Sequence, residues 1–343
     1  MTDLKSTRPF QKLLAEIRNA FLVLVLLLLS SASFAAQVFH LDPAKVKGPD
    51  ACGECHKDTM SLWKETKHSS TFSSLPKSEK AREIADKMGI KRIKADSDCL
   101  GCHFTSAMVE EKVKPIAGIT CESCHGEGLD WADVHSDFGG KEVKAENEDP
   151  AHKKERYAKS EAAGMLRPVH LYDLAKNCYG CHTVPNEKLV NVGGHAAGSK
   201  FELVRWSQGG VRHNVWYTKE NTEASQERRR MLFIVGQMLD LEYGLRGLAI
   251  ASEKADYAKA MAKRARSAQL RMQKIAETVE AKEISSINEV ANSVKLKLNN
   301  EQALLAAAES ISGYAKEFSE NHDGKQLPGV DAFLPSSDKY KKN

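Results

Sequence analysis

The sequence shows no large excess of charge of either sign and no long uninterrupted apolar run. Its 343 residues contain 50 Lys and Arg against 46 Asp and Glu, a net charge of +4. We therefore expect no nucleic-acid partner, because such a partner requires a strongly basic face. One apolar segment near the start, Ala20 to Leu29, is shorter than the about 20 residues that a membrane-spanning helix needs.

The first 35 residues have the layout of a secretory signal peptide. Basic side chains between Lys5 and Arg18 precede the apolar segment, and Ser33 and Ala35 place small residues at −3 and −1 if cleavage follows Ala35. The alternative is an uncleaved anchor, because the basic region is long. We predict a periplasmic protein, with an N-terminally membrane-anchored or an extracellular location as alternatives.

Cysteine is absent outside four copies of one pentapeptide, Cys-x-x-Cys-His. The copies, motifs 1 to 4 in chain order, are Cys52-Gly-Glu-Cys55-His56, Cys99-Leu-Gly-Cys102-His103, Cys121-Glu-Ser-Cys124-His125 and Cys178-Tyr-Gly-Cys181-His182. This is the attachment motif of c-type haem. Two thiols one helical turn apart form thioether bonds to the haem vinyl groups, and the histidine that follows binds the iron. The sequence therefore predicts four covalently bound haem c groups, each with its iron.

Three other uses of the cysteines explain less of the pattern. Zinc sites combine Cys-x-x-Cys pairs, but they give no reason for a histidine after every second cysteine. A thioredoxin-like redox pair needs one such motif beside a βαβ unit rather than four copies. Disulfides, which are the usual fate of cysteines in exported proteins, leave the histidines unexplained as well.

Four further histidines are needed if every iron has two histidine ligands, and eight lie outside the motifs. His68 follows His56 by 12 residues on a predicted helix, which separates the two by about 18 Å at 1.5 Å per residue. Because two axial nitrogens on one iron are about 4 Å apart, at about 2 Å each, His68 is predicted to serve a haem other than that of His56.

The other candidates for distal ligands are predicted from their surroundings. His135 follows a flexible glycine-containing turn, His195 lies among glycines and alanines that let backbone approach a flat ring, and His213 lies between two tryptophans. His170 is a weaker candidate. The remaining three, His40, His152 and His322, lie in charged or terminal segments and are expected to be exposed to solvent.

From about Glu223 the chain has no cysteine, and apolar residues recur at spacings of three and four. Four such stripes run from Met231 to Leu248, Met261 to Val279, Ile284 to Leu298 and Leu304 to Phe318. This periodicity predicts antiparallel helices that form a bundle. The bundle either packs against the haem-binding part or provides a surface for another copy or a partner.

The stretch from Cys52 to His182 resembles the cytochrome c-554 family of tetrahaem electron carriers. The resemblance rests on the first three motifs with their flanking residues, on Ser61-Leu-Trp63-Lys-Glu-Thr-Lys-His68, and on His135. It implies closely stacked haem pairs, as in hydroxylamine oxidoreductase and multihaem nitrite reductases. It also implies three bis-histidine haems, distal roles for His68 and His135, and an open or weakly held sixth position at the second haem.

The whole pattern predicts an all-α protein. A tetrahaem domain with little regular structure beyond short helices would occupy residues 36–220, a helical bundle 221–321 and a polar tail 322–343. The predicted function is electron transfer between redox partner proteins, with a membrane-associated quinol-oxidising donor and self-association through the C-terminal helices as further options. The alternatives are a redox enzyme acting on a small nitrogen or sulfur species at one five-coordinate haem, and a subunit of an extracellular cytochrome filament.

Overall fold

The computed structural model describes residues 41–95, 98–216 and 219–342. The predicted signal peptide and His40 lie outside the described residues. The described chain is mostly helical, which confirms the predicted all-α class. Within it, no helix is long and apolar enough to cross a membrane.

The first part of the chain consists of short helices and one hairpin. The helices, numbered in chain order, are α1 (Pro49–Gly53), α2 (Lys57–Lys64), α3 (Lys67–Ser74), α4 (Glu79–Met88), α5 (Leu100–His103), α6 (Glu122–His125), α7 (Ala132–Ser136), α8 (Pro150–Ala162), α9 (Leu171–His182), α10 (Glu187–Asn191) and α11 (Leu203–Ser207). Strands β1 (Thr105–Val109) and β2 (Lys112–Ala117) pair antiparallel between α5 and α6. This hairpin is an addition to the predicted helices.

Four longer helices follow, as the periodicity predicts. They are α12 (Gln226–Ala249), α13 (Asp256–Ala276), α14 (Lys282–Ser293) and α15 (Glu301–Asn321). Each packs against the next, and α15 returns to α12, so the four form a closed bundle. The bundle core is continuous with residues of α9 and α11, including Leu171, Tyr179 and Val204.

Helix α12 departs from the predicted one-sided stripe. Its residues from Met231 to Leu245 are buried on all sides. The physical reason is that four helices, α9, α11, α13 and α15, all pack against it. A helix that is enclosed in this way can carry apolar residues all round.

The last segment, predicted as a polar tail, packs in part against the bundle. Leu327 and Val330 are buried in the bundle core, and a 3₁₀ helix covers Pro328–Phe333. Arg230 forms two hydrogen bonds of 2.7 Å to the carboxylate of Asp331 and so ties the segment to α12.

Candidate haem sites

Each motif forms one helical turn that ends on its histidine. In the first three motifs the histidine amide donates to the carbonyl of the first cysteine, over 3.0, 3.1 and 2.9 Å, and motif 4 ends α9. Within the described residues, none of the eight cysteines forms a disulfide. A single turn is what brings two cysteines and the histidine to the same side of the backbone, so the local geometry suits covalent attachment.

Every motif histidine lies opposite one histidine from outside the motifs. The ring centres are separated by nearly the same distance in all four pairs, whereas the angle between the ring planes varies. The pairs are His56 with His135 (6.2 Å, 17°), His182 with His68 (6.2 Å, 47°), His103 with His195 (6.4 Å, 52°) and His125 with His213 (6.3 Å, 88°). The structure thus brings together all eight histidines that the sequence nominated.

The other three described histidines are occupied elsewhere. His170, the weaker candidate, lies 3.0 Å from the carboxylate of Glu161. His152 and His322 are half-buried against Glu148 and Glu283 rather than exposed, so the predicted exposure of these two is wrong. The partner of His152 is Glu148, four residues earlier and just before helix α8, and the partner of His322 is Glu283 of helix α14.

In four of the paired histidines the Nδ1 atom faces a backbone carbonyl. The carbonyls belong to Leu166 for His125 (2.8 Å), Ala132 for His135 (2.5 Å), Ala196 for His195 (2.8 Å) and Val211 for His213 (2.8 Å). A protonated Nδ1 that donates to a carbonyl leaves Nε2 as the unprotonated nitrogen. This is the tautomer that can bind a metal through Nε2.

Burial favours the neutral form of several motif and paired histidines. It lowers the pKa of His103 and His182 to about 4, and neighbouring histidines add to the effect. Burial likewise lowers the pKa of His56, His68 and His125. Neutral imidazole is the form that ligates a metal ion, so no proton has to be displaced near neutral pH.

The position of His68 depends on a break between two helices. The predicted continuous helix from His56 ends at Lys64, and Thr66 caps α3 by accepting from the amide of Ser69 (3.1 Å). The carbonyl of His68 accepts from Ile119, and a Cβ on Gly118 would lie 2.1 Å from that oxygen. Helix α3 can therefore dock here only beside a glycine.

His135 is held by a buried ion pair that the sequence did not reveal. The guanidinium of Arg156 donates to the carbonyl of His135 and to both carboxylate oxygens of Glu148 over 2.6 Å. The ring of Trp131 meets His135 edge to face at 5.2 Å, and its buried indole N–H has no partner within the described residues. Buried donors normally have an acceptor. The free indole N–H of Trp131 beside His135 therefore fits a site where a bound haem would supply a polar acceptor.

A second buried carboxylate fixes motif 3. Glu122 is 1% exposed and accepts from the amides of Lys47 (2.9 Å), Gly48 (2.8 Å) and Gly128 (2.7 Å). These bonds hold the chain just before motif 1 against motif 3. The sequence did not reveal this role of Glu122, because its partners are backbone amides.

The motifs are arranged as two neighbouring pairs. The Cys52 thiol lies near that of Cys121, which raises the pKa of Cys52, and the Cys181 thiol lies near that of Cys102, which raises the pKa of Cys181. The Cys181 thiol also donates to the carbonyl of Gly101 in motif 2 over 3.9 Å. Motif 1 therefore adjoins motif 3, and motif 2 adjoins motif 4. A further bond, from the side chain of Asn177 to the carbonyl of Cys124 (2.9 Å), joins motif 4 to motif 3.

Comparison with known proteins shows what part of this arrangement is similar to. Residues 51–126 match the family model of cytochrome c554 and c-prime, a segment that contains motifs 1 to 3. Cytochrome c-554 of Nitrosomonas europaea is 34% identical over 104 residues. The match covers 28% of this chain and 44% of that protein, so the chain spans less than half the length of this relative.

No solved structure matches the chain. The family match coincides with the helical turns that carry the first three Cys-x-x-Cys-His motifs, and motif 4 adds the same turn at the end of α9. The segment that holds motifs 1 to 3 is therefore similar to the cytochrome c554 and c-prime family, and the similarity does not extend over the rest of the chain.

Proposed function

We propose that this chain is a tetrahaem electron-transfer protein of the periplasm in which every haem iron has two histidine ligands. The observation that carries the proposal is the set of four histidine pairs with ring centres 6.2–6.4 Å apart. Two metal–nitrogen bonds of about 2.0 Å, with roughly 1.1 Å from each nitrogen to its ring centre, give a separation of about 6.2 Å.

Each site would take its residues from two distant parts of the chain. The two cysteines of a motif would hold the haem covalently, the motif histidine would bind the iron from one side, and the paired histidine from the other. When bound, haem c supplies an iron that changes between the ferric and ferrous states. The paired histidines leave no room for a substrate at the metal, which favours electron transfer over catalysis.

Motif 2 is where this chain departs from what the resemblance implies. The resemblance implies an open or weakly held sixth position, but His195 lies opposite His103 at the same separation as in the other pairs. His195 reaches this place from a loop in which Gly194 adopts a φ of +75°, a conformation that suits glycine. We therefore propose that the second haem is six-coordinate here, which disfavours the enzyme alternative.

The pairing also bears on the filament alternative. That alternative gains weight when an axial ligand has to come from a neighbouring subunit. Within the described residues, each motif histidine has a partner from its own chain. A self-contained electron carrier is the simpler explanation of this arrangement.

The contacts among motifs support an order for electron movement. Motif 1 adjoins motif 3, motif 3 adjoins motif 4, and motif 4 adjoins motif 2. The first motif is also accessible, because Cys55 is exposed and the 47% exposed Trp216 packs on His56 at 4.3 Å. We propose that redox partner proteins exchange electrons at motif 1 and that the other end of the path is motif 2.

Haem stoichiometry tests the proposal. The full chain is produced in a bacterium with the c-type maturation system, and intact mass and the alkaline pyridine haemochrome spectrum are measured. We expect four covalently bound haems per chain and three when both cysteines of motif 2 are replaced by alanine. Fewer than four in the parent protein would overturn the tetrahaem proposal.

A second experiment tests the location. N-terminal sequencing of the periplasmic protein is expected to show a mature chain that starts at Ala36, and recovery of the protein only in the cytoplasm would overturn the proposed location.

A further inference from the structure

We propose that Ser199 and Arg264 set the reduction potential of the haem at motif 4, through the motif histidine His182. Arg264 belongs to helix α13, so the C-terminal bundle would supply an electrostatic element of the redox chain rather than packing alone. The inference rests on the proposed function, since it concerns a haem held by motif 4.

Ser199 contacts His182 with both its side chain and its backbone. Its hydroxyl lies 3.2 Å from Nδ1 of His182, and its amide donates to the carbonyl of His182 over 3.0 Å. When Nε2 binds iron, Nδ1 carries the proton and donates to this hydroxyl. Ser199 is therefore the outer partner of a proposed axial ligand.

Arg264 reaches the same point from the bundle. Its guanidinium donates to the carbonyl of Ser199 over 2.8 Å and to the carboxylate of Asp240 on α12. A Cβ on Gly198, whose φ is +81°, would lie 2.9 Å from the guanidinium. The absence of a side chain at residue 198 thus lets a positive charge approach the motif 4 turn.

The charge of Arg264 is buried and only partly offset. Its side chain is 11% exposed and that of Asp240 is 12% exposed, so both are poorly screened by solvent. Asp240 also accepts from Arg271 (2.6 Å), whose side chain is 42% exposed. One carboxylate therefore faces two guanidinium groups, and Arg264 is the one that touches the segment bonded to His182.

The outer partner of His182 differs from those described for four other paired histidines. In those rings Nδ1 faces a backbone carbonyl at 2.5–2.8 Å, whereas His182 faces a hydroxyl at 3.2 Å. A weaker acceptor makes imidazole a less basic ligand and stabilises ferric iron less. A nearby buried cation favours the ferrous state as well. Both features raise the potential at motif 4.

The two residues make opposite predictions, which separates tuning from structural damage. Arg264→Gln removes the cation and is expected to shift one of the four haem potentials to a more negative value. Ser199→Ala removes the acceptor of the Nδ1 proton and is expected to shift the same component to a more positive value. Loosened packing with entry of water would move both variants in one direction.

The experiment is a spectroelectrochemical redox titration of the loaded full-length protein and its variants. Lys263→Gln is the matched control, because it removes one positive charge from the neighbouring, exposed position of α13 and should leave all four potentials unchanged. Unchanged potentials in Arg264→Gln and Ser199→Ala, or shifts of the same sign, would overturn the inference.

Two further results separate this inference from the proposed function. If the parent protein binds fewer than four haems, the proposed function fails before any potential is compared. If Arg264→Gln does not incorporate four haems, Arg264→Lys takes its place. This variant keeps the positive charge, so its haem potentials should stay close to those of the parent protein. Ser199→Ala must still shift one haem potential to a more positive value. A Ser199→Ala titration that coincides with the parent would then overturn the inference alone.

Discussion

The pairing of His68 with His182 makes a quantitative prediction. His68→Ala removes one proposed axial ligand but leaves Cys178 and Cys181 in place, so four haems should remain attached. One iron in four loses its second histidine, and about a quarter of the haem should change from low-spin to high-spin. Alanine has no nitrogen donor. Because the ring centre of His68 lies 6.2 Å from that of His182, removal of the His68 ring leaves a gap that a small external ligand can enter.

The assay is quantitative electron paramagnetic resonance of the oxidised variant, with its optical spectrum as a second readout. The matched control is His170→Ala, since His170 lies against Glu161 and, among the residues that the structure describes, is not paired with a motif histidine. We expect the control to stay fully low-spin. A His68→Ala protein with four haems and no high-spin signal would refute the assignment of His68 as a ligand.

Two other predictions concern stability, measured by urea unfolding of the haem-loaded protein. Gly244→Ala should destabilise the protein by about 1–3 kcal/mol, because the added Cβ would lie 2.7 Å from the backbone of Ala265. Gly313→Ala should stabilise it by about 0.5–1 kcal/mol, because the space around Gly313 is open and alanine favours the helix. Equal effects would contradict the close helix contact. Arg156→Met should cost about 3–5 kcal/mol, because it removes the guanidinium from the buried Glu148 and leaves only the contact with His152. Arg156 holds the pKa of Glu148 at about 2, below its unfolded value of 4.5, so this contribution is present above pH 4.5 and lost towards pH 2. A parent and variant with the same acid dependence would exclude that linkage.

The motif turns and the bundle were accessible to sequence reasoning because both depend on local spacing. Cys-x-x-Cys-His needs one helical turn, and the stripe from Met261 to Val279 is buried along its length as its periodicity predicts. The candidates for distal ligands also came from local surroundings, a glycine-rich one for His195 and an aromatic one for His213, and each of these two lies opposite a motif histidine. Their pairing with particular motifs depends on how distant segments approach, and no local pattern contains that information.

The supporting residues were missed for a related reason. Glu122 bonds to backbone amides from the segment before motif 1, and Arg264 bonds to a backbone carbonyl next to motif 4. Such partners leave no trace in residue type or spacing. The buried Leu327 and Val330 were missed because two apolar residues in a polar segment carry no periodicity.

The central claim is that all four irons have two histidine ligands, including the iron at motif 2. An electron paramagnetic resonance spectrum of the purified, oxidised, fully loaded parent protein tests it most directly. Four low-spin ferric haems and no high-spin signal are the predicted result. A high-spin signal from about a quarter of the haem would contradict the claim, and its loss in a variant without the motif 2 cysteines would place the open iron opposite His195.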